Sequence, residues 1–171
     1  LGIVSDVLKS LNLSETAKRD ILFAISEKNA SSVREICRQE DVSSDAIELL
    51  ISSYGKPQDV IEVLKTIDSV KDSESLSQLI KITTLLMEND CRDKIRIDFS
   101  VINHMGYYNG FVFKGFVSGI PTGILSGGQY DKLMQKMNKK TKAIGFAVYL
   151  DELSRLGEKV SEYDVDVAIE Y

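Results

Sequence analysis

Apolar residues return every three or four positions through the first half of the chain, and every second position in several later stretches. The first spacing predicts helices with one buried face, and the second predicts strands with one buried face. In SETAKRDILFAISEK, Ser14 is a candidate N-cap, and Ala17, Ile21, Leu22 and Ile25 share a face. SSVREICRQE and SSDAIELLISS each open on paired serines and gather Val33, Ile36 and Cys37, then Ile47, Leu50 and Ile51, on single faces. Pro57 leads PQDVIEVLKTI from a first-turn position, where its missing N–H costs nothing. Ser75 and Gln78 have capping-box spacing ahead of LIKITTLLMEN. None of these helices carries a chemical motif, so residues 1–90 are expected to form an all-α module made for packing or contact.

The period changes after Asp90. Ile95, Ile97, Phe99 and Val101 alternate with Arg96, Asp98 and Ser100, which predicts a half-buried antiparallel strand. YYNGFVFKGFV predicts a second strand, paired with its neighbour in sequence. After a turn at Pro121, Ile124 and Leu125 make a short strand, and Gly127-Gly128 a step into a helix. AIGFAVYLDELSRL predicts a strand that runs into a helix at about Tyr149. Ala143, Gly145 and Ala147 leave one face of that strand bare, so a ligand or a packed group must approach it closely. The tail, residues 157–171, alternates again and reads as an edge strand or a linker.

Composition narrows the class. The chain has 171 residues, 43% hydrophobic and 27% charged, enough to bury a core. No apolar run reaches the length of a membrane span. The start lacks the pattern of a secretory signal, and the cysteines Cys37 and Cys91 match no metal spacing, so reduced thiols in a cytoplasmic protein are expected. Residues 1–90 hold 10 Lys/Arg against 16 Asp/Glu, and residues 91–171 hold 11 against 10. An acidic half beside a neutral one is a poor footprint for nucleic acid. The basic run Lys136–Lys142 reads as a solvated loop after a helix rather than a phosphate patch.

Candidate chemistry concentrates in HMGYYNGFVFKGF and in the glycine-rich segments C-terminal to it. His104 is the sole histidine, with no serine or cysteine placed beside it, and reads as structural. On a strand Tyr107 and Tyr108 point to opposite faces, so one can enter the core while the other lines a pocket. Gly127-Gly128, taken as a step into a helix, offers either converging N–H groups for an anion or simply a tight turn.

Tyr107-Tyr108-Asn-Gly, Ser126-Gly-Gly-Gln-Tyr-Asp-Lys-Leu133 and Ala143-Ile-Gly-Phe-Ala-Val-Tyr-Leu-Asp-Glu-Leu153 together resemble the second half of a histidyl-tRNA synthetase catalytic domain. The resemblance is close over 91–156 and looser over 1–90, which match the family's helical insertion. It implies an α+β fold, a class II synthetase-like antiparallel sheet flanked by helices, with an all-α N-terminal insertion module. It also implies a histidine-like pocket shaped by Tyr108, Gly127 and Gly128 and supported by Tyr107 and Tyr130. Such cores begin with two further motifs that would precede Leu1, so the first half is expected on a longer chain or on another polypeptide.

Departures from the family pattern point to function. The family's Leu-Val-Arg-Gly-Leu-Asp-Tyr-Tyr becomes Val101-Ile-Asn-His-Met-Gly-Tyr-Tyr108, so Asn103 replaces an arginine, Gly106 an acidic residue and His104 a glycine. Gln129 replaces the arginine of Gly-Gly-Arg-Tyr-Asp. Glu152 stands where the third motif carries an arginine that contacts the ATP phosphates. Amino-acid activation needs positive charge at the reacting phosphate, and these replacements remove it. The pattern is similar to the regulatory subunits of short-form ATP phosphoribosyltransferase, which are synthetase-like proteins without aminoacylation activity. That likeness implies no catalytic residues, no cofactor and no metal. It implies an allosteric role in histidine biosynthesis, the catalytic phosphoribosyltransferase subunit as partner, histidine as a candidate ligand, and an oligomer when full length. The alternatives are a divergent histidyl-tRNA synthetase that activates histidine with other residues, and a purely structural role for the acidic helical module. Phe111, Phe113 and Phe116 are close enough in sequence to fill the pocket themselves.

Overall fold

The computed structural model describes residues 1–89, 91, 93–102 and 110–157, with the side chain of Lys132 left aside. Helices α1 (Gly2–Ser10), α2 (Glu15–Ser26), α3 (Ala30–Gln39) and α4 (Asp45–Ser52) lead to a two-residue strand β1 (Tyr54–Gly55). Helices α5 (Pro57–Leu64) and α6 (Glu74–Met87) complete the helical half. Their apolar stripes meet in one cluster in which Val7, Ile21, Ile25, Val33, Ile47 and Leu64 are completely buried. The predicted faces of α2, α3 and α4 are the ones that turn inward, because burying them is the main favourable term available to short helices.

The caps show how the chain enters each helix. Ser14 Oγ accepts from the Ala17 N–H at 3.2 Å, as expected, and the Glu40 carboxylate accepts from both the N–H and the hydroxyl of Ser14. Asn29, one residue before α3, accepts from Ser32 N, so the paired serines lie inside that helix. The capping box expected at Ser75 is displaced. Ser73 caps α6 by accepting from Leu76 N at 3.1 Å, and Gln78 donates to Glu74 instead. Starting the helix there brings Leu76 into the core, where it is buried.

The strand expected over 95–101 shrinks to β2 (Ile97–Asp98), which pairs antiparallel with β1. Asp98 Oδ1 accepts from the backbone and hydroxyl of Ser100, forming a local turn that withdraws the chain from further pairing. Ile97 joins the helical cluster, and Phe99 and Ile102 pack against it. This segment is therefore part of the helical body and does not pair with the next strand, its neighbour in sequence.

The remaining sheet is formed by β3 (Val112–Gly115), β4 (Leu125–Gln129) and β5 (Ile144–Val148), antiparallel in that order. A short helix α7 (Asp131–Lys136) links β4 to β5, and α8 (Leu150–Ser154) follows β5 directly through Tyr149, its N-cap. The strand-into-helix turn at Tyr149 is thus as expected. Gly127-Gly128 is not a step into a helix: both residues lie within the central strand, paired on one side to Phe113 and Val112 and on the other to Phe146 and Gly145. Their backbone is engaged in the ladder, and the anion-binding reading of that step falls. The tyrosine pair, Asn103, His104 and the tail from 158 lie outside the described residues.

Candidate functional site

Strand alternation gives the β3–β4–β5 sheet two different faces. One carries Phe113, Leu125, Gly127, Ile144, Phe146 and Val148. The other carries Val112 and the exposed Lys114 of β3, Ser126, Gly128, Gly145 and Ala147, joined by the rings of Tyr130 and Tyr149. The first face is apolar apart from Gln129 at its end, and the second combines small, polar and aromatic groups with the Lys114 cation. The second has the character of a binding surface.

The two glycines of the pair serve opposite faces. A Cβ on Gly127 would collide with the Gly145 carbonyl and lie 2.6 Å from Phe113 Cζ, so Gly127 lets the Phe113 ring lie across the central strand on the apolar side. Phe111 stacks on Phe113 with centroids 6.4 Å apart. Phe111 and Phe113 therefore lie on the apolar side of the sheet, over Gly127, and not on the polar one. Gly128 pairs with Gly145, and a Cβ on Gly145 would lie 2.7 Å from Tyr130 Oη. The group that approaches the bare face of β5 is thus Tyr130. The structure brings Gly128 and Tyr130 together and turns Gly127 away from them.

Asp131 positions this end of the sheet, and the sequence motifs did not single it out. It is buried, yet its carboxylate accepts from Gln129 Nε2 at 2.5 Å and from Ala143 N at 3.0 Å. It thereby ties the end of β4 to the start of β5 and fixes Tyr130 between them. The sequence signal was present: an acidic residue at the first position of a short helix, two after Gln129. Gln129 is held in turn, its amide on Asp131 and its side chain against Gly110. A neutral amide fills its place beside a carboxylate, and it brings no positive charge.

Glu152 stands in the first turn of α8, where it accepts from Thr122 Oγ1 at 2.5 Å and from Arg155 Nη1 at 2.9 Å. The Thr122 hydrogen bond, and then Arg155, hold its carboxyl below the ordinary glutamate range, so it is an anion near neutral pH. Tyr149 completes this end of the sheet. Its N–H donates to Ile124 O at 2.9 Å, and its hydroxyl shares a hydrogen bond of 2.7 Å with Ser126. Among the described residues no group of three or more His, Cys, Asp or Glu side chains is placed to hold a metal ion. No helix among them is long and apolar enough to cross a membrane.

Comparison with known proteins supports the fold. The family model for histidyl-tRNA synthetase matches residues 1–153. The chain is 29% identical over 180 residues to the ATP phosphoribosyltransferase regulatory subunit of Oceanobacillus iheyensis, covering 99% of this chain and 44% of that protein. It superposes on the crystal structure of an ATP phosphoribosyltransferase regulatory subunit/histidyl-tRNA synthetase from Bacillus halodurans with a TM-score of 0.78. The two are 25% identical, and the match covers 92% of this chain and 42% of the other. A histidyl-tRNA synthetase from Nostoc gives a TM-score of 0.71 at 23% identity, over 90% of this chain and 39% of that one, and shows the shared fold. The chain spans less than half the length of each of these relatives. Its antiparallel sheet, its strand-into-helix turn and the extent of the match all fit one class II synthetase-like fold, and the chain belongs to the histidyl-tRNA synthetase family.

Proposed function

We propose that this chain is part of a regulatory subunit of ATP phosphoribosyltransferase, acting in the cytoplasm, that binds histidine without activating it. The observation that carries the reading is Glu152. The position that would hold a phosphate-contacting arginine in an active synthetase holds a carboxylate engaged by Thr122 and Arg155. An anion there opposes a triphosphate and lends nothing to the charge that develops during activation. Gln129, committed to buried Asp131, supports the same reading, as does the likeness to regulatory subunits in sequence. In this reading Tyr108 and Gly128 shape the amino-acid pocket, Tyr107 and Tyr130 support it, Gly127 supports it from the other face, and Asn103 marks a further lost cation. The partner is the catalytic phosphoribosyltransferase subunit, and the full-length protein is an oligomer. The test is to add the complete protein to that subunit and measure its rate and its inhibition by histidine. A change in both is expected, together with no histidine-dependent exchange of pyrophosphate into ATP. Robust exchange would establish the alternative, a divergent histidyl-tRNA synthetase.

A further inference from the structure

Directly paired residues mark out rows across the polar face of the sheet. Val112, Gly128 and Gly145 form one row, and Lys114, Ser126 and Ala147 form the next, about 6.6 Å along the strands. Each row has a tyrosine over it. Tyr130 lies against Gly145. Tyr149 leaves the end of β5 and turns back to meet Ser126, so its ring crosses the second row. Its position is set independently by its N–H on Ile124 O and by the Thr122–Glu152 bond that ties α8 to the loop before β4. A nucleotide laid along this face would have to displace the Tyr149 ring, whereas a group of side-chain size held beside Tyr130 at the first row would not.

We propose that Tyr149, latched to Ser126, is a specificity-determining residue that closes the α8 end of the polar face, so that the site takes a ligand of amino-acid size and refuses a nucleotide. This rests on reading that face as the ligand site, and it names the residue that sets which ligand fits. The latch is a single neutral hydrogen bond, so removing it alone should raise the fraction of open sites only severalfold. Removing the ring should do more.

The test is titration of the complete protein with a fluorescent ATP analogue, comparing the native sequence with Ser126→Ala and Tyr149→Gly. Ser126→Ala cuts the bond and deletes one oxygen, and it is expected to tighten apparent nucleotide affinity about fivefold. Tyr149→Gly removes the ring and is expected to tighten it by at least about tenfold. Near-UV circular dichroism checks that each variant keeps its packing, and Ser126→Ala decides the matter if Tyr149→Gly does not fold. Nucleotide affinity unchanged in the folded variants, or native protein that binds the analogue as tightly as they do, would overturn the proposal. The phosphoribosyltransferase assay separates this from the regulatory reading. Variants that gain nucleotide in a protein with no effect on that enzyme would sink the regulatory role and keep the latch. The reverse pattern would sink the latch alone.

Discussion

A methyl group added at Gly127 and one added at Gly145 meet different neighbours. At Gly127 it strikes the Gly145 carbonyl, which is held in the ladder, as well as Phe113 and Phe146. The backbone cannot yield cheaply, so Gly127→Ala is expected to destabilise the sheet by about 1–3 kcal/mol in urea unfolding. At Gly145 it meets the outer edge of the Tyr130 ring, which can swing away. Gly145→Ala should therefore cost less stability while displacing Tyr130, and histidine affinity measured by calorimetry should fall more than stability does. The sequence placed both glycines in the right motifs. It could not assign them to faces, because that depends on the strand register.

At the scale of elements, a small charge cluster joins the helices to the β1–β2 pair. Lys28, just beyond α2, places Nζ 2.8 Å from Asp98 and 4.9 Å from the centre of the Tyr54 ring. Burial pushes the Asp98 carboxyl up, but hydrogen bonds from Lys28 and Ser100 and the Lys28 charge outweigh it and hold the carboxyl below the ordinary aspartate range. A depressed folded value stabilises the protein above the unfolded value of about 3.9, and that stability is lost as pH falls through the folded value. Lys28 is half exposed, so the effect is at most about 1 kcal/mol. Asp98→Asn is expected to be less stable than the native chain at pH 6, with the gap closing below about pH 4, as read from chemical denaturation at each pH. The alternation around Asp98 read as a long strand because sequence periodicity cannot see an aspartate folding back onto Ser100. The cap of α2, by contrast, was legible at Ser14. That signal is local, whereas its second partner, Glu40, is visible only in the fold.

Over the whole molecule, the helical half closes a core and the sheet leaves one face open. Ile144, Phe146 and Leu150 are 61%, 70% and 71% exposed, and Val148 beside them is also exposed. Contiguous apolar surface of this kind marks a place where other structure packs. The chain by itself is expected to bind a hydrophobic dye such as ANS, and Phe146→Ser to reduce the fluorescence, whereas the complete protein should show little signal. Dye binding unchanged by Phe146→Ser would show that this face is not the one responsible.

By itself the sequence determined the helical faces, the α+β class, the motif order that matches the family and the residues at which positive charge is missing. All of these are carried by side-chain type and short-range spacing, which act within a turn or two of chain. Only the tertiary structure decided that Gly127-Gly128 runs through a central strand, that the segment around Ile97 belongs to the helical core, and that Asp131 holds Tyr130 in place. It also decided that Tyr149 lies across the polar face. Each of these depends on pairing between segments far apart in sequence, and pairing register, unlike composition, is settled by the energy of the whole assembled sheet.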